Sequence, residues 1–378
     1  MAKYSVRISK VFTGILYALI AVFLAVNFAQ LFNATDRQWD FEIYYQAARA
    51  HAQGQNPYDA AVIAQWAGKP IAMHYVYSPL TLGLFRGFAL LSLKHAMQLY
   101  ATLKFLALCG LLFIWQRYFL PKDVYRPLFL ISAIYVYQMT IFKDFLAGNI
   151  SLFEQLLLWL GLLALRKQKP WFFVAAVILA SFFKLIPLLW LGILLFEKGS
   201  GRFWQVLAGG LSFGLTVAVS AFYQPTLWHN FFAAAAAFDS YGWSVTGLIL
   251  DRIAPALGVH VPSVGVTLAL GLILAVVFFG IYRRYPGSDR ISLFLLSYAL
   301  WVPRLKDYSY ILLIVPTFLV FNRIKLGAVK WVFLIAACAL PGYYAAVYIS
   351  LLAYGCLIVA ECDDQGRFFL PSSVAPQP

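Results

Sequence analysis

The sequence predicts an all-α integral membrane protein with about ten to twelve membrane helices and a helical first extracytoplasmic loop. Hydrophobic residues make up 62% of the 378 residues and charged residues only 12%, whereas soluble domains are about 25% charged. Apolar runs of a length that suits a bilayer also recur along the whole chain, separated by short loops. We therefore expect one polytopic membrane domain over residues 1–378.

Membrane topology explains the excess of basic residues. The chain has 29 Lys and Arg against 15 Asp and Glu. No basic run in a polar segment is interleaved with aromatic residues, which argues against a nucleic-acid partner. Short basic loops instead fit the rule that Lys and Arg accumulate on the cytoplasmic side. The loops that we expect inside are Arg117–Arg126, Arg166–Lys169, Lys198–Arg202, Arg283–Arg290 and Arg323–Lys330.

The first apolar run, Val11–Phe32, is too long for the core of a cleaved signal peptide. We expect it to be a retained first span with its amino end in the cytoplasm. The loop 33–96 is then extracytoplasmic. For the later basic loops to lie inside, Ser78–Lys94 must lie along the membrane surface or re-enter it, so that Met97–Trp115 is the second crossing. Residues 361–378 are expected to be a short tail.

The remaining crossings alternate between the two sides of the bilayer. Trp171–Phe196 is expected to be broken around Lys184 and Pro187, because proline interrupts helical hydrogen bonding. The other expected spans are Leu128–Phe142, Ile150–Leu165, Phe203–Phe222, Val264–Tyr282, Ile291–Val302, Ser309–Phe321, Trp331–Ser350 and Leu351–Ala360. Ionisable residues that this topology leaves at the outer face are costly near a bilayer, so each is a candidate for a functional site.

The most informative polar segment is Asp40–Asp59, which directly follows the first span and its short polar connection. Its alanines favour a helix over 40–53, and a glycine with an Asn-Pro pair predicts where that helix ends. Asp40 falls in the first turn, where the helix dipole favours an ionised carboxylate, and Tyr44 follows on the same face. Such a carboxylate can accept a proton from a hydroxyl group. The alternative is that Asp40 or Asp36 only caps the helix.

Two later segments bring further polar residues to the same predicted side. KDFLAGN, at Lys143–Asn149, lies between two helices, and its Gly-Asn pair suits a tight turn in which Asn149 caps the next helix. A simple helix hairpin is the alternative. Lys184 lies within FFKLIPLLW, where a cation among apolar residues is costly unless it reaches the interface.

The third segment, WVPRLKDYSY, spans Trp301–Tyr310 between two apolar helices. Arg304 and Lys306 lie there on the outer side, against the usual distribution of basic residues. Two fixed cations suit an anionic group such as a phosphate. An internal salt bridge to Asp307 is the alternative.

The sequence gives no reason to invoke a metal ion or another cofactor. The first outer loop has no DxD motif, His51 has no HxxH or HxxE partner, and no cysteine has a spaced Cys or His partner. A carboxylate base with several cations remains, which suits transfer of a group from a lipid phosphate. Two alternatives stay open: a transporter or flippase for an anionic lipid or sugar phosphate, and a membrane acyltransferase or phosphatase, which ordinarily needs a catalytic His.

The order of these motifs resembles glycosyltransferase family 87 of the C-type glycosyltransferase superfamily. Asp40, Tyr44 and the Ala-rich helix that ends in Gly-x-Asn-Pro-Tyr are similar to the family's first outer loop. Three later pieces are similar to its Gly-Gln-x-Asn turn, without the Gln, to its Lys-x-x-Pro element and to its late outer loop. These pieces are Ala147–Ile150, Lys184–Pro187 and Pro303–Tyr310.

The resemblance implies a polytopic C-type fold and an enzyme that moves a sugar from a polyprenyl-phosphate donor to a glycolipid or glycan acceptor. The sugar implied is mannose, arabinofuranose or another pentose, and the active face is the extracytoplasmic side of a bacterial plasma membrane. By motif, Asp40 takes the role of the catalytic base. The late loop lacks the His that some members carry, which leaves the donor sugar open. The residues expected to bind substrate are Tyr44, Lys143, Asn149, Lys184, Arg304, Lys306 and Tyr308.

Overall fold

The computed structural model describes residues 2–33, 37–71, 73–122, 124–197, 199–237, 244–259, 265–273, 287–302, 305–324, 327–339 and 349. All regular elements in these ranges are helices, which confirms the all-α prediction. Four of these helices have the length and apolar composition needed to cross a membrane. The apolar stretches concerned are Thr13–Gln30, Leu93–Phe119, Arg126–Ala147 and Arg202–Tyr223.

The chain divides into two compact units. The first comprises Met1–Tyr118 and Phe142–Asp239, and the second comprises Phe119–Ile141 and Ser240–Pro378. One membrane domain over residues 1–378 stays a prediction.

The first unit contains most of the helices. They are α1 (Ala2–Asn33), α2 (Trp39–Ala52), α3 (Ala60–Ala67), α4 (Leu82–Phe88), α5 (Leu93–Ile114), the end of α6 (Arg126–Ala147), α7 (Ser151–Arg166), α8 (Pro170–Phe183), α9 (Ile193–Phe196), α10 (Arg202–Tyr223) and α11 (Pro225–Ala237). Large apolar side chains on α1 and α10 are widely exposed, as expected for helices that contact lipid. Helix α7 packs against α5 and α8.

The predicted helix in the first polar loop is α2, and it is confirmed with a start one residue earlier than expected. It ends where Gly54 takes a positive φ of 72°, a conformation that glycine adopts without strain. Most of its residues are buried against α3, α4 and α5, and Phe41 stacks on Tyr100 with ring centroids 4.2 Å apart. Because most of its surface is buried, this loop helix is an integral part of the packed first unit.

The predicted break in the span at 171–196 is also confirmed. Helix α8 ends at Phe183, and Lys184 has an extended backbone with φ −135° and ψ 133°. A 3₁₀ helix, Ile186–Gly192, then includes Pro187 before α9 begins. Proline lacks the N–H that would bond to the carbonyl of Phe183 four residues earlier, and its ring clashes with that carbonyl, which accounts for the end of α8 at Phe183.

The second unit combines the first part of α6 with the later helices. They are α12 (Val245–Leu248), α13 (Ala254–Ala256), α14 (residues 265–273), α15 (Gly287–Trp301), α16 (Ile314–Arg323) and α17 (Gly327–Ala339). The backbone of α6 leaves helical geometry at Val136–Met139. There Tyr137 exchanges a 2.6 Å hydrogen bond with Thr317 Oγ1. The expected span Leu351–Ala360 and the tail 361–378 lie outside the described residues, and Val264–Tyr282 and Trp331–Ser350 are described only in part.

The turn between α6 and α7 admits only glycine at position 148. Gly148 has a φ of +66°, and a Cβ there would lie 2.8 Å from Gln38 Cβ and 2.9 Å from Phe41 Cβ. Real Cβ atoms do not approach other carbon atoms this closely. The start of α2 is therefore packed directly on this turn, where Gln38 N also donates to Leu146 O at 2.7 Å.

We expect Gly148→Ala to destabilise the protein much more than Gly54→Ala. Both glycines have positive φ, so both substitutions incur about 1 to 2 kcal/mol of backbone strain. A Cβ at position 54 meets nothing within 4 Å, whereas one at position 148 forces α2 away from the turn. Denaturant unfolding of both variants in detergent micelles measures the difference. Equal losses of stability would contradict the close packing of α2 on this turn.

Candidate active site

Asp40 lies in the first turn of α2, as predicted, and its side chain is buried with 9% of its surface exposed. Gln38 occupies the N-cap position with a left-handed backbone, and its own side chain makes no capping hydrogen bond. The alternative that Asp40 is a helix cap is therefore wrong. Asp36 lies outside the described residues. The Asp40 carboxylate points instead to a residue 109 positions later in the chain, Asn149.

Asn149 is the centre of a buried hydrogen-bond network. Its Nδ2 donates to Asp40 Oδ2 at 2.7 Å and lies 3.4 Å from Tyr44 OH and 3.3 Å from Tyr77 OH. Its Oδ1 accepts from the backbone N of Ser151 at 3.0 Å and from Ser151 Oγ at 2.8 Å. The N-cap residue of α7 is Ile150, so the prediction that Asn149 caps this helix is wrong by one position. The Asn149 side chain instead accepts from the first helical residue, Ser151, and holds the carboxylate of Asp40. Its amide group is directed at protein partners, and a direct role in binding substrate stays a prediction.

The surroundings of Asp40 give its carboxyl group an unusual affinity for protons. The pKa of Asp40 is raised to about 6. The largest cause is burial, because a carboxylate loses hydration in an apolar environment. The hydrogen bond from Asn149 lowers this pKa, as do the charges of Lys104 and Lys184, whereas the charge of Asp144 raises it. Asp40 is therefore largely ionised at neutral pH and is a stronger base than an exposed aspartate.

Lys104 and Asp144 form a buried ion pair behind this network. Lys104 Nζ lies 2.6 Å from Asp144 Oδ1, and the two side chains are 1% and 0% exposed. The same ammonium group donates to Asp144 O at 2.6 Å and to Asn149 O at 2.9 Å. Both charges lie next to the turn that carries Asn149. Buried charges normally occur in pairs with additional hydrogen bonds. The Lys104 ammonium group has such bonds, whereas the Asp144 carboxylate oxygens have no hydrogen bond among the described residues.

Lys184 lies at the break after α8 and faces the start of α7. Its Nζ donates to Ser151 Oγ at 2.7 Å and lies 3.1 Å from Glu154 Oε2. The Lys184 side chain is 23% exposed and that of Glu154 is 8% exposed. Lys184 therefore joins the network of Asp40 through Ser151 and Asn149, and it keeps part of its surface available to a ligand.

Tyrosine side chains surround the carboxylate on the side of the first loop. Tyr44 OH donates to Tyr77 OH at 2.9 Å, and their ring centroids are 4.9 Å apart. Tyr58 OH donates to Tyr77 O at 2.9 Å, and Tyr75 packs against all three rings. All four tyrosines are buried. Burial raises the pKa of Tyr44 and of Tyr77, so both hydroxyl groups stay protonated beside Asp40.

The remaining predicted residues are distributed differently. Lys143 lies near the end of α6, next to Asp144, and is half-buried. Arg304 lies outside the described residues. Lys306 and Tyr308 belong to the second unit, at the start of the 3₁₀ helix Asp307–Leu313, where Tyr308 N donates to Asp307 Oδ1 at 3.0 Å. The first unit thus brings together Asp40, Tyr44, Asn149 and Lys184, and the role of each residue stays a prediction.

Sequence reasoning missed the contribution of two charged residues to this network. Lys104 is the only Lys, Arg, Asp or Glu between Lys94 and Arg117, and it lies in the middle of a predominantly apolar helix. A lone cation at this position was a signal, because an unpaired charge in a membrane helix is costly. Asp144 stood among the outer-face residues, but its partner 40 positions earlier was not apparent from the chain alone.

Comparison with known proteins identifies one family. The sequence model described as glycosyltransferase family 87 matches residues 75–303, which is more than half of the chain. The matched range includes Tyr77, Lys104, Asn149 and Lys184, and it begins after Asp40. Comparison with curated proteins and with solved structures found no match.

We expect Asn149→Ala to raise the pKa of Asp40 from about 6 by about one to two units. A hydrogen bond to a charged group contributes about 1.5 to 3 kcal/mol, and this one favours the ionised carboxylate. The carboxyl group of the variant will then still be protonated at a pH at which it is ionised in the original protein. Infrared titration in lipid nanodiscs measures the titration midpoint of Asp40. Subtraction of the spectrum of Asp40→Asn isolates the signal of this carboxyl group.

Asn56→Ala is the matched control for this titration. Asn56 also lies in the first loop. Its substitution removes one side-chain hydrogen bond, in which the backbone N of Tyr58 donates to Asn56 Oδ1 at 3.0 Å. This variant is expected to leave the Asp40 midpoint unchanged. The same midpoint in Asn149→Ala and in the original protein would contradict the role given to the Asn149 amide.

Proposed function

Because this chain belongs to glycosyltransferase family 87, we propose that it moves a sugar from a polyprenyl-phosphate donor to a glycolipid or glycan acceptor. A glycosyltransferase needs a sugar donor and an acceptor, and the membrane helices suit substrates that carry lipid chains. The sugar is mannose in this proposal, with arabinofuranose or another pentose as the alternative. The reaction takes place at the extracytoplasmic face of a bacterial plasma membrane.

The observation that carries this proposal is the environment of Asp40. A general base must be ionised at the working pH and basic enough to take a proton, which a carboxyl pKa of about 6 provides. Asn149 contacts Oδ2, and among the described residues no hydrogen bond to Oδ1 is found. Oδ1 is therefore the oxygen available to the hydroxyl group of an acceptor.

The proposed reaction is a single displacement with inversion at the anomeric carbon. Asp40 Oδ1 takes the proton of the acceptor hydroxyl while the acceptor oxygen forms a bond to the anomeric carbon. The bond between this carbon and the phosphate oxygen breaks, and its electron pair leaves with the polyprenyl phosphate. A phosphate is a stable anion, so the leaving group needs no proton. Asp40 then releases its proton to water.

The leaving phosphate needs nearby positive charge. Lys184 is the best candidate in the first unit, because its side chain is partly exposed and its charge is close enough to Asp40 to affect the pKa of that carboxyl group. In the structure Lys184 forms an ion pair with Glu154 at 3.1 Å. In this proposal Lys143 adds a further contact to the donor and Tyr44 contributes to sugar binding. The substrate contacts expected of Arg304, Lys306 and Tyr308 stay predictions from the sequence.

Family membership favours this transferase over the transporter or flippase alternative. A transporter needs groups that bind the anionic lipid, but it needs no base with a tuned pKa. The buried carboxylate with a pKa of about 6 is costly to maintain, and proton transfer is a use for it.

We expect Asp40→Asn to lower the rate of sugar transfer about 100- to 10,000-fold, because a general base contributes an effect of this size. Binding of the donor should be retained, since the amide conserves the shape of the side chain. Transfer is measured with purified protein in lipid, labelled polyprenyl-phosphate mannose and a membrane lipid extract as acceptor. Labelled polyprenyl-phosphate arabinofuranose is the second donor to be offered.

Glu42→Gln is the matched control for Asp40→Asn. Glu42 is a buried carboxylate in the first turn of the same helix, but it pairs with Lys69 at 2.7 Å rather than with Asn149. The control should keep nearly full activity. Equal activity of the Asp40 variant and the original protein would remove Asp40 from the chemistry, and no transfer with either donor would overturn the proposed function.

We expect Lys184→Gln to reduce kcat/KM for the donor about 10- to 100-fold, because a charge-assisted hydrogen bond to the phosphate is lost. Lys69→Gln is the matched control, since Lys69 also pairs with a glutamate but is 53% exposed and contacts Glu42 rather than the hydrogen-bond network of Asn149. Steady-state kinetics with varied donor concentration measure the effect. An unchanged kcat/KM for the Lys184 variant would exclude Lys184 from the phosphate site.

A further inference from the structure

The polar contacts of the Lys104 ammonium group lead to one short segment among the described residues, Asp144–Asn149. The residue lies in the middle of α5 and is fully buried. Its ammonium group contacts the carboxylate and the carbonyl oxygen of Asp144, both at 2.6 Å, and the carbonyl oxygen of Asn149 at 2.9 Å. These two residues lie on either side of the turn that ends α6. Lys104 therefore joins the two ends of this turn.

The turn itself ends α6 by a helix-capping arrangement around Gly148. Asn149 N donates to Asp144 O at 3.1 Å, and Gly148 N donates to Phe145 O at 3.1 Å. Carbonyl groups at the end of a helix lack partners within the helix and attract cations. Lys104 Nζ supplies such a cation. The ring hydroxyl of Tyr100, one turn earlier on α5, donates to the same Asn149 O at 3.3 Å.

The main chain and the side chain of Asn149 have separate tasks. Its carbonyl oxygen accepts from Lys104 and Tyr100, which fixes the position of the residue. Its side-chain amide then reaches Asp40 Oδ2 at 2.7 Å. Any movement of the main chain at Asn149 changes the hydrogen bond to Asp40, because the side chain is too short to compensate.

We propose that Lys104 is a positioning residue for Asp40, acting through the main chain of Asn149. This inference rests on the proposed function in that Asp40 is the base whose position matters. Lys104 itself has no exposed surface and does not touch substrate. Its effect on the reaction is transmitted by one turn of the backbone and one side-chain amide.

The alternative is that Lys104 and Asp144 form a buried ion pair with a purely structural role. In that case they would affect only the stability of the first unit, and the effect of their removal on Asp40 would be independent of Asn149. A positioning role instead predicts that Lys104 and Asn149 act on Asp40 as one unit. Residues that act as one unit give non-additive effects in a double-mutant cycle.

The test compares Asn149→Ala with the double variant Lys104→Met and Asp144→Asn. Replacement of both members of the pair avoids an isolated buried charge, which is the main cause of misfolding in single variants. The double variant also removes the two charges that affect the pKa of Asp40 in opposite directions. The other groups facing Asp40 are Lys184, Tyr44, Tyr77 and Tyr100, and the double variant leaves them unchanged.

Two quantities are measured in nanodiscs: the infrared titration midpoint of Asp40, with Asp40→Asn as the reference, and the kcat of sugar transfer. We expect the double variant to raise the midpoint by about one pH unit and to lower kcat about tenfold, with the donor KM unchanged. Adding Asn149→Ala to the double variant should change neither quantity beyond the effect of Asn149→Ala alone. Effects that add in the cycle would overturn the proposal.

Tyr100→Phe is a milder second variant in case the double variant does not fold. It removes one donor to Asn149 O and keeps the ring that stacks on Phe41. We expect a smaller rise of the Asp40 midpoint in the same direction. An unshifted midpoint in Tyr100→Phe would count against control of Asp40 through the main chain of Asn149.

The two readouts separate this proposal from the proposed function. If the midpoints shift as expected but the original protein transfers no sugar from any donor, the proposed function fails and the control of Asp40 by Lys104 stands. If the original protein transfers sugar and the effects in the cycle are additive, the function stands and the positioning role fails.

Discussion

The hydrogen bond between Asn149 and Asp40 is the interaction on which the site depends. It joins the first polar loop to the turn between α6 and α7, across 109 positions of sequence. The backbone bond from Gln38 to Leu146 and the missing Cβ of Gly148 allow α2 to lie close enough for this contact. The position of the carboxylate is thus determined by main-chain packing, and the amide of Asn149 sets its final orientation.

The pKa of Asp40 must satisfy two opposing requirements of a general base. The carboxyl group must be ionised at the working pH, and it must also bind a proton well. Burial favours the protonated carboxyl group, and a protonated acid cannot serve as a base. The hydrogen bond from Asn149 and the charges of Lys104 and Lys184 oppose this effect, and the resulting pKa is about 6. Stronger stabilisation would make the group a weak base. The neighbours of Asp40 therefore determine both whether it is ionised and how strongly it attracts a proton.

Local sequence signals predicted the elements whose causes are local. The alanines and the Gly-Asn-Pro ending predicted α2, Pro187 predicted the break at Lys184, and the Gly-Asn pair predicted the turn before α7. The contact of Asn149 with Asp40 and the pairing of Lys104 with Asp144 were beyond such signals. They depend on how α2 and α5 pack against the end of α6, and tertiary packing does not follow from the periodicity of one helix.

The roles proposed for Lys184 and Asn149 differ because charge moves during the reaction. Negative charge disappears from Asp40 when it takes the proton and appears on the leaving phosphate. Asn149 bonds to the carboxylate, so it stabilises the state before transfer, and its benefit must come from orientation. Lys184 is attracted to both charges, so it assists only if it interacts more strongly with the phosphate than with the carboxylate. Its exposed fraction and its place beside Ser151 and Glu154 suit that requirement, since an arriving phosphate can replace Glu154 as its partner.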